Sequence, residues 1–138
     1  MHPPLEEPDG AVPLTGAASG APALILRAEG LAVFAAALVA YAAIGASWWL
    51  FAALILAPDL SMLGYLAGPK SGAHLYNAVH SYVGPLAMGI AAHALGAPLA
   101  GTLALIWLAH IGLDRALGYG LKYTAGFALT HLGRLGRK

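Results

Sequence analysis

Residues 99–119 read LAGTLALIWLAHIGLDRALGY, and this stretch decides the fold class. A mostly apolar run of about 20 residues, rising about 1.5 Å per residue, spans a hydrocarbon core about 30 Å thick. Working outward, three more such runs precede it. Gly96-Ala97-Pro98 separates it from 73–95, and Gly68-Pro69-Lys70-Ser71-Gly72 separates that run from 48–67. A break at residues 45–47 then leads back to 24–44. The pattern predicts an all-α protein, a four-helix transmembrane bundle over residues 24–120, with helices at about 24–44, 48–67, 73–95 and 99–119.

The flanks are unlike the middle. Residues 1–23 are rich in proline and glycine and carry Glu6, Glu7 and Asp9, a composition that builds no core and predicts a flexible tail. An acidic start is also unlike the basic n-region of a secretory signal. Residues 121–138 form a short basic tail. Across all 138 residues, 59% are hydrophobic and only 9% charged, with a mean hydropathy of +0.73. A soluble domain carries about 25% charged residues, so this chain cannot cover a water-facing surface. Its net charge of +1 gives no footprint for nucleic acid. The absence of cysteine excludes disulfides, thiolate catalysis and Cys-ligated metals.

Four crossings with short turns put both tails and the second turn on one side. Arg27, Lys70, Arg115, Lys122, Arg134, Arg137 and Lys138 fall there, and the other two turns carry no Lys or Arg. The positive-inside rule then predicts cytoplasmic termini. Small residues allow close helix approach in lipid. Ala28, Ala32, Ala36 and Ala40 make one such stripe, and Ala104, Gly112, Ala116 and Gly120 a looser one. Both read as packing seams. Trp48, Trp49 and Phe51 at a helix start read as an interfacial aromatic belt.

Against this apolar background a few polar residues stand out: Asp59, then His74, Asn77 and His80, then His110 and Asp114. Ionisable groups inside a membrane are expensive and normally face one another or a wet cavity. His110 and Asp114 share a helix face at i,i+4, and Asn77 and His80 do so at i,i+3. Helical rise places Asp59 and His110 each about 16 Å from the start of their segments, and His80 roughly 12 Å from its own. All three reach one layer, slightly to the cytoplasmic side of the midplane. Asp114, Asn77 and His74 then line an inlet nearer the cytoplasm. Pro58 removes a helix hydrogen bond beside Asp59, which either is an ordinary membrane-helix kink or shapes the site.

Imidazoles and carboxylates without sulfur suit Zn²⁺, Mn²⁺ or non-haem iron. Asp59, His80, His110 and Asp114 make a two-His, two-carboxylate metal set, with Asn77 or His74 orienting a ligand, water or substrate. Such a metal can activate water for hydrolysis of a lipid or phosphoester. The same groups can instead form a metal-free proton or substrate relay, or a structural hydrogen-bonded network. Haem b held by His80 and His110 is a further option, although it gives no reason for two acids beside it. His93 lies toward the outer end and reads as an interfacial histidine. His131, in the basic tail, would complete the site if the tail folds back over the inlet; Lys122 and its neighbours otherwise follow anionic headgroups. Membrane lipids, and a second copy of the chain, are the expected partners.

Residues 57–65 (APDLSMLGY), 76–82 (YNAVHSY), 110–123 (HIGLDRALGYGLKY) and 130–133 (THLG) resemble a family of small bacterial membrane proteins catalogued as a domain of unknown function. The resemblance covers the chain from about Gly30 onward and implies a bacterial inner-membrane location. The family pattern often has an acid before the Thr-His pair, where this chain has Leu129. The resemblance implies no activity.

Overall fold

A computed structural model describes residues 18–122 and 129–134. Most of the acidic N-terminal tail and most of the basic C-terminal tail lie outside the described residues. The four apolar segments are largely helical, two of them in two pieces. They comprise α1 (Gly20–Ala43), α2 (Trp48–Leu54) continuing into a 3₁₀ helix (Ala57–Ala67), α3 (Pro69–His80) with α4 (Val83–Leu95), and α5 (Pro98–Leu117). Two short strands, β1 (Leu129–Thr130) and β2 (Gly133–Arg134), pair antiparallel. Three spans, Gly20–Ala43, Trp48–Ala67 and Pro98–Leu117, are long and apolar enough to cross a membrane, and α4 is a shorter apolar helix. The protein is an all-α bundle of membrane type.

Its surface agrees with its composition. Leu24, Leu31, Val39, Leu60, Leu66, Ile90 and Leu95 are all exposed. In water so much apolar surface would drive aggregation, whereas a lipid-facing surface requires it.

α5 is the hub, with α1 and α4 packed along it, while α3 packs on the 3₁₀ helix. The α1–α5 crossing is set by two glycines. A Cβ at Gly30 would lie 2.4 Å from Arg115 Cβ, and one at Gly112 would lie 2.7 Å from the Phe34 nitrogen. The backbones therefore touch, as small residues permit in lipid. This crossing corrects the expected seam on α1. Gly30, Ala37 and Tyr41 are buried, while Ala28, Ala32 and Ala36 are exposed. Only glycine allows the approach at the crossing, so Gly30 rather than the alanine stripe sets the rotation of α1. On α5, Ala104 and Gly112 are buried as expected. At the start of α2, Trp48 and Phe51 pack around Tyr41, while Trp49 is 87% exposed.

Two of the four segments are broken, and proline explains both breaks. Pro58 cannot donate to the preceding turn. The Asp59 N–H then bonds Leu56 O at 3.0 Å in a 3₁₀ pattern, leaving Ile55 O without its helical donor. In the third segment Pro85 cannot donate to Ser81 O, and α3 ends at His80 with Ser81 extended (φ −85°, ψ 143°). The freed carbonyls find donors on α5. Trp107 Nε1 donates to Val79 O at 2.6 Å, and Arg115 Nη2 donates to His80 O at 3.2 Å. Gly84 makes room for the Trp107 ring, since a Cβ there would lie 2.5 Å from it.

Candidate metal centre

The breaks deliver the polar side chains. Asp59 lies in the first turn of the 3₁₀ helix, His80 ends α3, and His110 and Asp114 lie on one face in the second half of α5. His110 stands roughly 10 Å from the C-terminal end of that helix. Three segments thus meet in one layer.

Both imidazoles point Nε2 inward. His110 Nε2 lies 3.1 Å from Asp59 Oδ1 and 3.2 Å from Asp114 Oδ2. His80 Nε2 lies 3.2 Å from Asp59 Oδ1 and 3.6 Å from Asp114 Oδ2. The two Nε2 atoms are themselves 3.1 Å apart. One ligand atom from each of the four residues lies within 4.8 Å of all the others. The histidines are 3% and 2% exposed, whereas the Asp59 and Asp114 side chains are 35% and 17% exposed. The open side of the cluster is therefore its carboxylate side.

The outer ring nitrogens fix the chemistry of the inner ones. His80 Nδ1 faces Tyr76 O at 3.0 Å, and His110 Nδ1 faces Ile55 O at 2.5 Å. A carbonyl only accepts, so each Nδ1 must donate. In the neutral imidazoles both Nε2 atoms then carry lone pairs. The acceptor for His110 is the carbonyl that Pro58 leaves free. The Tyr76 ring stacks on the His80 ring at 3.7 Å and 7°, holding its plane. Ser61 Oγ approaches His80 Nδ1 at 3.5 Å.

Residues 23–135 match the family model described as Domain of unknown function (DUF4260). The chain belongs to the DUF4260 family. No curated protein and no solved structure matches it. The whole Asp/His cluster of this DUF4260 chain lies inside the matched region.

Of the other residues singled out in the sequence, His74 is exposed on α3 and is not brought to the four. Asn77 instead grips the chain after α5. Its Nδ2 donates to Lys122 O at 2.7 Å, and its Oδ1 accepts from Lys122 N at 2.6 Å. His131 packs against Gly120, accepts from Leu121 N–H at Nδ1 (2.9 Å) and meets Arg115 Nη1 at 3.1 Å. It thus joins the bundle through Arg115 rather than through the four clustered residues. Burial pushes the His131 pKa down, and the Arg115 guanidinium adds to the shift. His93 is exposed at the far end of α4.

Lys122 is the largest departure from expectation. It does not follow headgroups but is 3% exposed, with its ammonium 5.0 Å from the centroid of the Tyr76 ring. Burial lowers its pKa from 10.5 to about 8, against the pull of Asp114 and Asp59, which raises it. The family resemblance ran through Lys122, but no periodicity marks the tail as packed. Tyr76, Ile55 and Arg115 were equally silent, because carbonyl acceptors, ring stacking and a cap on a broken helix leave no sequence pattern.

Proposed function

We propose that this DUF4260 protein is a metal-dependent membrane enzyme, its centre holding one divalent ion on Asp59, His80, His110 and Asp114. One observation carries the reading. Two imidazole Nε2 atoms, each with its proton held on the far nitrogen by a backbone carbonyl, converge on two carboxylates. Four acceptors facing one point repel one another unless a cation lies between them.

The separations suit a small divalent ion, zinc, manganese or ferrous iron. Zinc bonds to nitrogen and oxygen of about 2.0–2.1 Å in a tetrahedron imply edges of about 3.3–3.4 Å. The five separations that involve a histidine nitrogen run from 3.1 to 3.6 Å. A divalent ion also offsets the two carboxylate charges, which are costly in an apolar surrounding. A porphyrin fits poorly. Axial nitrogens on opposite sides of an iron stand about 4 Å apart, whereas the two Nε2 atoms here are 3.1 Å apart with two carboxylates beside them. A bound metal would lower the pKa of a water entering on the carboxylate side, and a lipid or phosphoester is the substrate within reach of a membrane-embedded centre. Asn77 acts in this scheme through Lys122, and His74 takes no part. With the termini in the cytoplasm, the centre opens toward the cytoplasmic leaflet of a bacterial inner membrane.

A proton relay is the second reading, favoured by the 3.1 Å between the two Nε2 atoms, a distance at which they can share a proton. Elemental analysis of the full chain, purified in detergent without chelators, separates the two. The enzyme reading expects about one zinc, iron or manganese per chain, lost in Asp59→Asn and in His110→Ala with helical content retained. The relay expects no metal, and pH-driven proton flux in liposomes that Asp59→Asn abolishes. Hydrolysis of phospholipid or ester substrates by the loaded protein, absent from the stripped one, tests the reaction itself.

A further inference from the structure

The four clustered residues divide evenly between two packing units. Asp59 and His80 belong to the 3₁₀ helix and α3, which pack on each other, while His110 and Asp114 belong to α5, on which α1 and α4 pack. An apolar cleft of about 270 Å³ lies between the units, lined by Leu54, Pro58 and Val79 on one side and Leu103, Ile106 and Trp107 on the other. Side chains that line a void lose their dispersion contacts across it, so apolar packing at this joint is thin. Polar ties cross it instead. His110 Nδ1 donates to Ile55 O, Trp107 Nε1 to Val79 O and Arg115 Nη2 to His80 O.

The most specific tie lies one turn before His80. Gly118 ends α5 in the left-handed region (φ 91°), and the chain beyond it reaches α3. There Asn77 holds the N–H and the carbonyl of residue 122 with both ends of one amide, at 2.6 and 2.7 Å. Residue 121 is held in turn by His131: Leu121 N–H donates to Nδ1 at 2.9 Å, and His131 N–H donates to Leu121 O at 3.1 Å. Arg115 joins this clasp to the centre, meeting His131 at 3.1 Å and the carbonyl of His80 at 3.2 Å. We propose that the clasp is a latch coupled to the metal centre, closing the α3 unit onto α5 when an ion is bound and loosening when it leaves. The inference rests on the metal reading above. Without an ion, one His and one Asp on each unit face their counterparts as mutually repelling acceptors; with it, all four are drawn to one point. Coupling is reciprocal, so a latch that the ion tightens must tighten the ion by the same factor. The plain alternative is a permanent clasp, indifferent to occupancy.

The test uses the full chain in detergent, metal-free and loaded with Co²⁺. It follows amide exchange at Leu121, Lys122 and His131, whose N–H groups all make the clasp. Cobalt should slow exchange at these three by at least about fivefold. Asn77→Ala should abolish that difference and weaken cobalt binding by a similar factor. Gly120→Ala serves if the asparagine variant loses its helical signature, because the added Cβ would meet His131 Nδ1 at 2.6 Å and push that side chain off the clasp. Cobalt uptake with exchange unchanged at all three amides overturns the latch and leaves the metal reading standing. So does a cobalt affinity that Asn77→Ala leaves unaltered, since the coupling must run both ways. A chain that takes up no cobalt overturns both.

Discussion

His80 and His110 gain their meaning from atoms on the far side of each ring. A histidine in an apolar helix is ordinary when its nitrogens find a donor and an acceptor nearby. Here Tyr76 O and Ile55 O hold the outer protons, and the inner lone pairs face two acids. The polar residue types were legible from the sequence because each is costly in a bilayer, and i,i+4 spacing joined His110 to Asp114. His74 is exposed, and the six residues that separate it from His80 turn it to another face of α3. Lys122 went unseen as a buried group, because nothing local distinguishes a packed lysine from one among headgroups. Burial makes a prediction for it. Its native pKa of about 8 lies below the unfolded 10.5, so between these pH values the unfolded chain holds a proton that the native one has released. For metal-free protein that difference makes stability rise with pH across the window. Thermal melts from pH 7.5 to 10.5 should show Lys122→Met lacking this upward contribution relative to the parent, and two parallel curves would contradict it.

At the scale of elements, the breaks matter more than the helices. Hydropathy located four segments and glycine-proline turns located their ends, but a hydropathy run reads the same whether continuous or interrupted. Pro58 was visible as a kink; that it would free Ile55 O for His110 depends on α5 lying alongside. The Ser81–Tyr82 break was hidden, because the Val79 and His80 carbonyls before it are met by Trp107 and Arg115 from another helix. The α1 seam was misread for a related reason: sequence shows which positions are small, not which pair of glycines meets. Pro58→Ala restores an N–H to the turn and lets the Asp59 N–H return to Ile55 O, taking the acceptor from His110. Losing such an outer-ring partner typically weakens metal affinity 10–100-fold. Equilibrium dialysis against buffered zinc should show that loss while circular dichroism shows equal or greater helicity; unchanged affinity would mean the kink is only a kink.

For the molecule as a whole, composition alone indicated a membrane protein, and the exposed apolar surface of the bundle accords with it. The centre joins the 3₁₀ helix, α3 and α5, so an ion there ties together parts of the chain far apart in sequence. A ligand that binds only the native state adds about 2.7 kcal/mol when its free concentration is 100 times Kd. Chelator should therefore lower the melting temperature of the detergent-solubilised protein by several degrees and leave His110→Ala unmoved. An equal shift in both would place the chelator effect elsewhere. The central claim, that four side chains from three segments form one metal centre, is tested most directly by X-ray absorption at the zinc edge of the zinc-loaded full chain. The account predicts a first shell of two imidazole nitrogens and two carboxylate oxygens at about 2.0–2.2 Å. It also predicts the outer-shell scattering of two rings, reduced to one in His80→Ala. A shell of oxygens without imidazole scattering, or one unchanged in His80→Ala, would contradict it.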